Sequence, residues 1–224
     1  MRWRVSAETS ARAPVNSDVM SGFNETHERT IAVYETHAAG WDKHRTRFLR
    51  EKSWLDKFIQ SLQLSASLLD AGCGAGEPIS QYLIEQGCSV TGIDSSPTMI
   101  EICKSRFPDE SWSRMDMRAL ELDRQFDGIV AWESFFHLKP DEQRSTLQRF
   151  IERLRPGGAL LMTVGHEAGE VLGTVEGESV YHSSLSPQEY KHILGSAGFH
   201  DIEMTLKDET CDRTVLLARL YDCL

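Results

Sequence analysis

Leu68-Leu69-Asp70-Ala71-Gly72-Cys73-Gly74-Ala75-Gly76-Glu77-Pro78 is the stretch on which the reading of the fold turns. A short apolar run ends in an acid, three glycines follow at alternate positions, and Pro78 precedes Ile79-Ser80-Gln81-Tyr82-Leu83-Ile84. That order predicts a strand, a tight loop and a helix. Glycines let the backbone turn sharply and let a ligand approach without meeting a Cβ, and the helix beyond offers free N–H groups. Dinucleotide loops of this kind seat a pyrophosphate on G-x-G-x-x-G. Here the spacing is G-x-G-x-G, and Asp70 stands two residues before the first glycine, where it would repel phosphate. An acid at that point suits a ligand that carries an ammonium or a sulfonium.

Downstream of the loop the two apolar periods alternate. Ile79 to Gln86 reads as a helix stopped by Gly87, and Ser89 to Ile93 as a strand ending in Asp94. Ser96-Pro97 supplies an N-cap and a first-turn proline for a helix carrying Met99, Ile100, Cys103 and Phe107. Trp112 to Met115 and Phe126 to Ala131 read as strands. Pro140 opens a helix with Leu147, Phe150, Ile151 and Leu154 on one face, and Pro156-Gly157-Gly158 breaks it before the strand Ala159 to Val164. Such alternation builds a parallel sheet covered on both faces. Ser186-Pro187-Gln188-Glu189 is a capping box, and Phe199 to Leu206 with Thr214 to Leu220 reads as a closing antiparallel hairpin. Upstream, Glu25 to Leu62 carries the pattern of two helices. Residues 1–24, rich in Ser, Ala, Arg and Thr, are expected to be a mobile arm ahead of one domain spanning residues 25–224.

A chain of 224 residues with 40% apolar content is long enough for one full core. Its formal charge of -10 opposes the phosphate attraction on which nucleic-acid binders rely. No run approaches a membrane span, and the first twenty residues lack the apolar stretch of a secretory signal, so a cytoplasmic protein is expected. The five cysteines are scattered and odd in number, which predicts free thiols and no structural metal.

The pattern Asp-x-Gly-x-Gly-x-Gly from Asp70 to Gly76 resembles the first motif of the class I S-adenosylmethionine (SAM)-dependent methyltransferases. The Leu154-Arg155-Pro156-Gly157-Gly158 turn and the Leu161 to Val164 strand are similar to a later motif of that family, and the resemblance runs from about Tyr34 to Leu220. It implies an α/β, Rossmann-like seven-stranded sheet, mostly parallel, with a C-terminal antiparallel hairpin and N-terminal helices, and SAM as cofactor. Open sheets bind ligands at the carboxyl ends of their strands, and acids stand there: Asp70, Asp94 and Asp116. Asp94 lies where a carboxylate can accept ribose hydroxyls, and Asp116-Met117 where adenine would sit. The implied cofactor set also includes Gly72, Cys73, Gly74, Ser95, Met99, Ala131 and Trp132, with Tyr34 and Trp41 on the leading helix closing over it. A narrower resemblance, through Tyr181 to Tyr190, is to a bacterial-type group of small methyltransferases whose substrates are unassigned.

A methyl donor of this kind needs a placed nucleophile and a route for its proton. His137, after the fourth strand, and Tyr181 with His182, in the segment before the capped helix, are the candidate catalytic residues, with His166 as a further histidine nearby. Residues 165–185 read as a long, glycine-rich and acidic loop, a mobile cover that could favour a cationic acceptor. A nicotinamide-dependent oxidoreductase shares the architecture but lacks a Tyr-x-x-x-Lys pair here. A SAM-binding module without catalysis is the other alternative. Nucleic-acid amino-methyltransferases carry Asn/Asp/Ser-Pro-Pro-aromatic after the fourth strand, where this chain has Trp132-Glu133-Ser134-Phe135-Phe136. The expected partner is a small, partly apolar acceptor, with no nucleic acid and no membrane, and the protein a monomer or homodimer.

Overall fold

The computed structural model describes residues 17–221. Five strands run parallel in the order β3 (Ser111–Arg114), β2 (Ser89–Asp94), β1 (Ser67–Ala71), β4 (Phe126–Ala131) and β5 (Leu154–Val164). The sheet is completed by antiparallel β9 (Arg213–Leu220) and β8 (Phe199–Asp208). Strand neighbours exchange faces residue by residue. Leu68, Val90, Val130, Leu161 and Val215 point to one side, under α2 (Lys52–Gln60), α3 (Ile79–Glu85) and α4 (Pro97–Arg106). Leu69, Ile93, Ile129, Leu160 and Leu216 point to the other, under α5 (Pro140–Arg153) and α6 (Pro187–Ser196). Both faces are apolar because parallel strands with crossover helices leave neither to water. Fully buried Phe58 and Phe150 anchor the two layers, each worth roughly 1.5–3 kcal/mol of apolar burial.

Local chemistry sets the ends of these elements. Ser96 Oγ accepts from the Met99 N–H at the start of α4, as its Ser-Pro start requires. Ser186 caps α6 in the same way, but Glu189 does not close the expected box; its carboxylate takes Arg144 instead. The Pro156-Gly157-Gly158 break lies inside β5, which begins at Leu154 and shifts register against β4 between Phe126 and Gly128.

Two expectations are corrected. Helix α1 (Ser17–His44) starts at Ser17, so residues 17–24 belong to a helix rather than to an arm; the remainder of that arm lies outside the described residues. Residues 165–185 are not an irregular cover. They form a hairpin, β6 (Gly169–Val175) and β7 (Glu178–Ser184), which is a separate two-stranded sheet. Its turn is Glu176-Gly177, with φ of +48° and +88°, the left-handed pair that a two-residue hairpin needs.

Candidate active site

The glycine loop is held by its neighbours. Gly72 N and Cys73 N both donate to the carbonyl of Ile93, at 2.8 and 3.0 Å, so the loop folds back over the end of β2. Gly72 has φ +82°, and an added Cβ there would overlap Cβ of Ser134, whose hydroxyl donates to Ala71 O at 2.7 Å. The loops after β1 and β4 are thereby locked together. Gly74, at φ +54°, is different: a Cβ built on it meets nothing within 4 Å. This is the open side of the loop, where a ligand can approach the backbone.

Three strand-end acids face this region in three different states. Asp70 is buried and accepts from Ser80 Oγ at 2.5 Å; burial pushes its carboxyl up to about 6 despite that bond. Asp94 accepts from Gly74 N at 2.9 Å and Ser96 N at 2.8 Å; burial raises it, partly offset by those backbone bonds. Burial would also raise Asp116, but the Arg118 guanidinium, bonded to both carboxylate oxygens, outweighs it and holds the group below the usual range.

Helix α1 crosses over these strand ends. Glu35 accepts from the hydroxyls of Ser96 and Thr98 at the start of α4. Asp42 pairs with Arg106, whose Nη1 also donates to Ala75 O in the glycine loop at 3.2 Å. Elsewhere along α1, His27 meets Glu142 at 2.8 Å, and His37 meets Glu178 of the hairpin at 2.7 Å. Each tie is between side chains, and together they span four different elements.

Between α1, the turn after β4 and the hairpin lies a cluster of rings. Tyr34 and His137 are 5.0 Å apart between centroids, His137 and His182 4.9 Å, Phe136 and His137 4.8 Å, and Phe136 and His182 4.9 Å. His137 Nδ1 lies 3.0 Å from the carbonyl oxygen of Tyr181. A carbonyl only accepts, so Nδ1 carries the proton and Nε2 is a bare lone pair. That Nε2 is closed off from solvent and has no hydrogen-bond partner, and the same is true of Nε2 of His182. Burial holds both rings neutral, lowering His137 to about 4 and His182 to about 3, the latter also through His137 beside it.

Residues 68–158 match the family described as "Methyltransferase domain". The fold matches a Burkholderia thailandensis 1,6-didemethyltoxoflavin-N1-methyltransferase with TM-score 0.65, covering 98% of both chains at 20% identity. Residues 68–158 thus carry a methyltransferase domain, and the fold is that of the class I SAM-dependent methyltransferases. The chain is 34% identical over 99 residues to a malonyl-[acyl-carrier protein] O-methyltransferase of Enterobacter lignolyticus, over 44% of the chain and 38% of that protein. It is 26% identical over 202 residues to an uncharacterized methyltransferase of Bacillus cereus, covering 89% of the chain and 87% of that protein.

SAM is the cofactor of this methyltransferase, and the residues present fit it. Gly74 leaves the approach to the loop clear, and each oxygen of Asp94 retains a lone pair beyond its backbone bond. The ends of β1, β2 and β3 converge here: Gly74 N donates to Asp94, Met115 N donates to Asp94 O at 2.9 Å, and Met117 Cε reaches the side of Gly72. On α1, with rings 6.0 Å apart, Trp41 packs beside Ala75 of the glycine loop and Tyr34 beside His137. The side chains of other residues in the expected set are packed into the core. Met99 is buried between Ala38 and Ala75, Ala131 belongs to the core of one face and Trp132 to that of the other, and the Cys73 thiol packs inward. Tyr181 and His182 are separated by the pleat of β7. The Tyr181 ring packs on His27 of α1, with its hydroxyl on Glu170, so only its carbonyl reaches His137. His166 is exposed beside Glu167, on a cleft of about 440 Å³ near α6 and β8.

Sequence reasoning missed two arrangements. Glu133, with φ +52° at the end of β4, is ion-paired to Arg213 from β9, and both act on His182. A non-glycine residue in that conformation is strained and tends to mark a functional site. Gln143, fully buried on α5, donates to the carbonyls of Leu138 and Ser183 and accepts from the Tyr190 hydroxyl at 2.6 Å. It explains much of the Tyr181 to Tyr190 motif: Ser183 and Tyr190 tie the hairpin and α6 to α5.

Proposed function

We propose that this methyltransferase acts on a small-molecule acceptor at the ring cluster formed by Tyr34, Phe136, His137 and His182, with the bare Nε2 of His137 receiving the acceptor's proton. That orphaned, tautomer-fixed lone pair is the observation that carries the reading. A buried acceptor atom without a partner costs about 1–3 kcal/mol, which folded proteins rarely sustain outside a site of use. His182 stands beside it, and Tyr181 positions His137 through its carbonyl without touching the acceptor. SAM supplies an electrophilic methyl group when bound. Asp94, Asp116 and the glycine loop hold it, with Asp70 behind the loop, and Tyr34 and Trp41 cover it.

The formal charge of -10 speaks against a nucleic-acid acceptor. Among the described residues no helix is long and apolar enough to cross a membrane. The free, buried thiols of Cys73, Cys88, Cys103 and Cys211 support a cytoplasmic setting; Cys223 lies outside the described residues. The protein works as a monomer or homodimer. Calorimetric titration with S-adenosylhomocysteine tests the cofactor half. Wild type should bind it, and Asp94→Ala should bind about 10-fold to 100-fold more weakly, through loss of about 1.5–3 kcal/mol of charge-assisted bonding. Equal affinity in the variant would return Asp94 to the role of a loop cap.

A further inference from the structure

Resting on that reading, we infer that the acceptor is a neutral, planar molecule presenting an O–H or N–H donor, a phenol or an N–H heteroaromatic, and that His137 Nε2 selects it by accepting that hydrogen bond. Donor selection follows from the tautomer. With Nδ1 committed to Tyr181 O, Nε2 can only accept, so a ligand that lacks a donor leaves it unpaired. A carboxylate placed there would set lone pair against lone pair. Planarity follows from the surroundings, because Tyr34, Phe136 and His182 all stand within 5.0 Å of the His137 ring or of one another, at steep angles. Rings so arranged take a further ring edge-on or face-on.

Neutrality follows from the charges near the cluster. Burial first, and for His182 also the neighbouring His137, drives these closely packed imidazoles to their uncharged forms, so the region resists a positive charge. Glu133 and Arg213, the charged pair nearest His182, are bonded to each other and leave no net charge to offset one. His27, on α1, is committed to the Glu142 carboxylate at 2.8 Å. Three of the acids in residues 165–185, which in the sequence suggested a cationic acceptor, are engaged elsewhere. Glu170 takes the Tyr181 hydroxyl, Glu178 takes His37 and Arg29, and Glu167 takes His166.

The test uses the full chain saturated with S-adenosylhomocysteine and four matched probes: naphthol, methoxynaphthalene, naphthoate and naphthylmethylammonium. Naphthol should bind at least about tenfold more tightly than its methyl ether, the ratio expected for one buried hydrogen bond, and the two ions should bind more weakly still. In His137→Phe, which keeps a ring in place, the preference for naphthol over the ether should vanish. Should that variant fail to fold, nitrogen NMR of the wild-type imidazoles gives the same answer, since naphthol must shift Nε2 of His137 and the ether must not. Absence of naphthol binding, equal binding of the ether, or preference for either ion overturns the inference while cofactor binding stands. Failure to bind S-adenosylhomocysteine overturns the functional reading beneath it.

Discussion

Replacing His137 by Phe should change how the protein responds to acid, with a size that follows from the burial of the ring. The imidazole titrates near 6.5 when unfolded and near 4 in the fold, where burial disfavours its charged form. A base depressed in this way contributes its stability above about pH 6.5 and loses it as pH falls toward 4, because the unfolded chain takes up the proton first. At about 1.4 kcal/mol for each tenfold, this is a loss of about 2 kcal/mol between pH 7 and pH 5, and about 3 kcal/mol by pH 4. Asp70 works in the opposite direction. Its pKa is raised to about 6 in the fold, so its contribution is full below about 3.8 and is lost as pH rises through 6. The wild-type profile alone therefore mixes two signs, and the informative quantity is the difference between wild type and variant. For a domain of this size ~1 kcal/mol moves Tm by about 2–4 °C, so scanning calorimetry should show wild type losing about 4–8 °C relative to His137→Phe between pH 7 and pH 5. The offset at neutral pH is immaterial, since the variant loses the bond to Tyr181 O and also the orphaned nitrogen. A constant offset across that range would refute the buried, neutral imidazole, and with it the bare Nε2.

Gly72→Ala should destabilise the domain by about 2–4 kcal/mol, because it combines a left-handed backbone with overlap at Ser134; chemical denaturation would show it, and a loss below about 0.5 kcal/mol would mean that the two loops are not locked. Gln143→Leu should cost about 1–3 kcal/mol by leaving the Tyr190 hydroxyl without its acceptor and removing a donor from the Ser183 carbonyl, while Leu138 O keeps the Ser183 hydroxyl, and hydrogen exchange should loosen at β7 and α6 before it does in the seven-stranded sheet.

The parallel half of the fold was legible because its signals are local. Ser96-Pro97 states where α4 begins, and Asp94 stands at a strand end fixed by a period-two apolar run. The ring cluster was legible in part. His137 follows the fourth strand, so its location could be placed, but its tautomer depends on a carbonyl 44 residues away. The hairpin was missed because its turn is Glu-Gly rather than Asn-Gly, and its acids disguise an alternation that carries Val175 and Val180 inward. That alternation also separates Tyr181 from His182, which adjacency in sequence had joined. The Glu133 to Arg213 pair spans 80 residues and joins the turn after β4 to β9, which is not a neighbour of β4 in the sheet, so no spacing rule could have found it. Gln143 resembles an ordinary solvent-facing residue of an amphipathic helix, and only the packing of α6 shows that it is buried.

The hairpin of β6 and β7 shares no backbone ladder with the seven-stranded sheet. Its attachment is through side chains: Thr30 Oγ1 accepting from Tyr181 N, Glu178 meeting His37, and the Gln143 clamp. Residues of the hairpin can therefore change without disturbing the register that places Asp70, Asp94 and Asp116. In evolutionary terms the molecule is modular within a single domain. On the proposed reading, the donor side and His137 are tied to the sheet and its loops, while His182 is brought to them by an appended piece that lineages can rewrite.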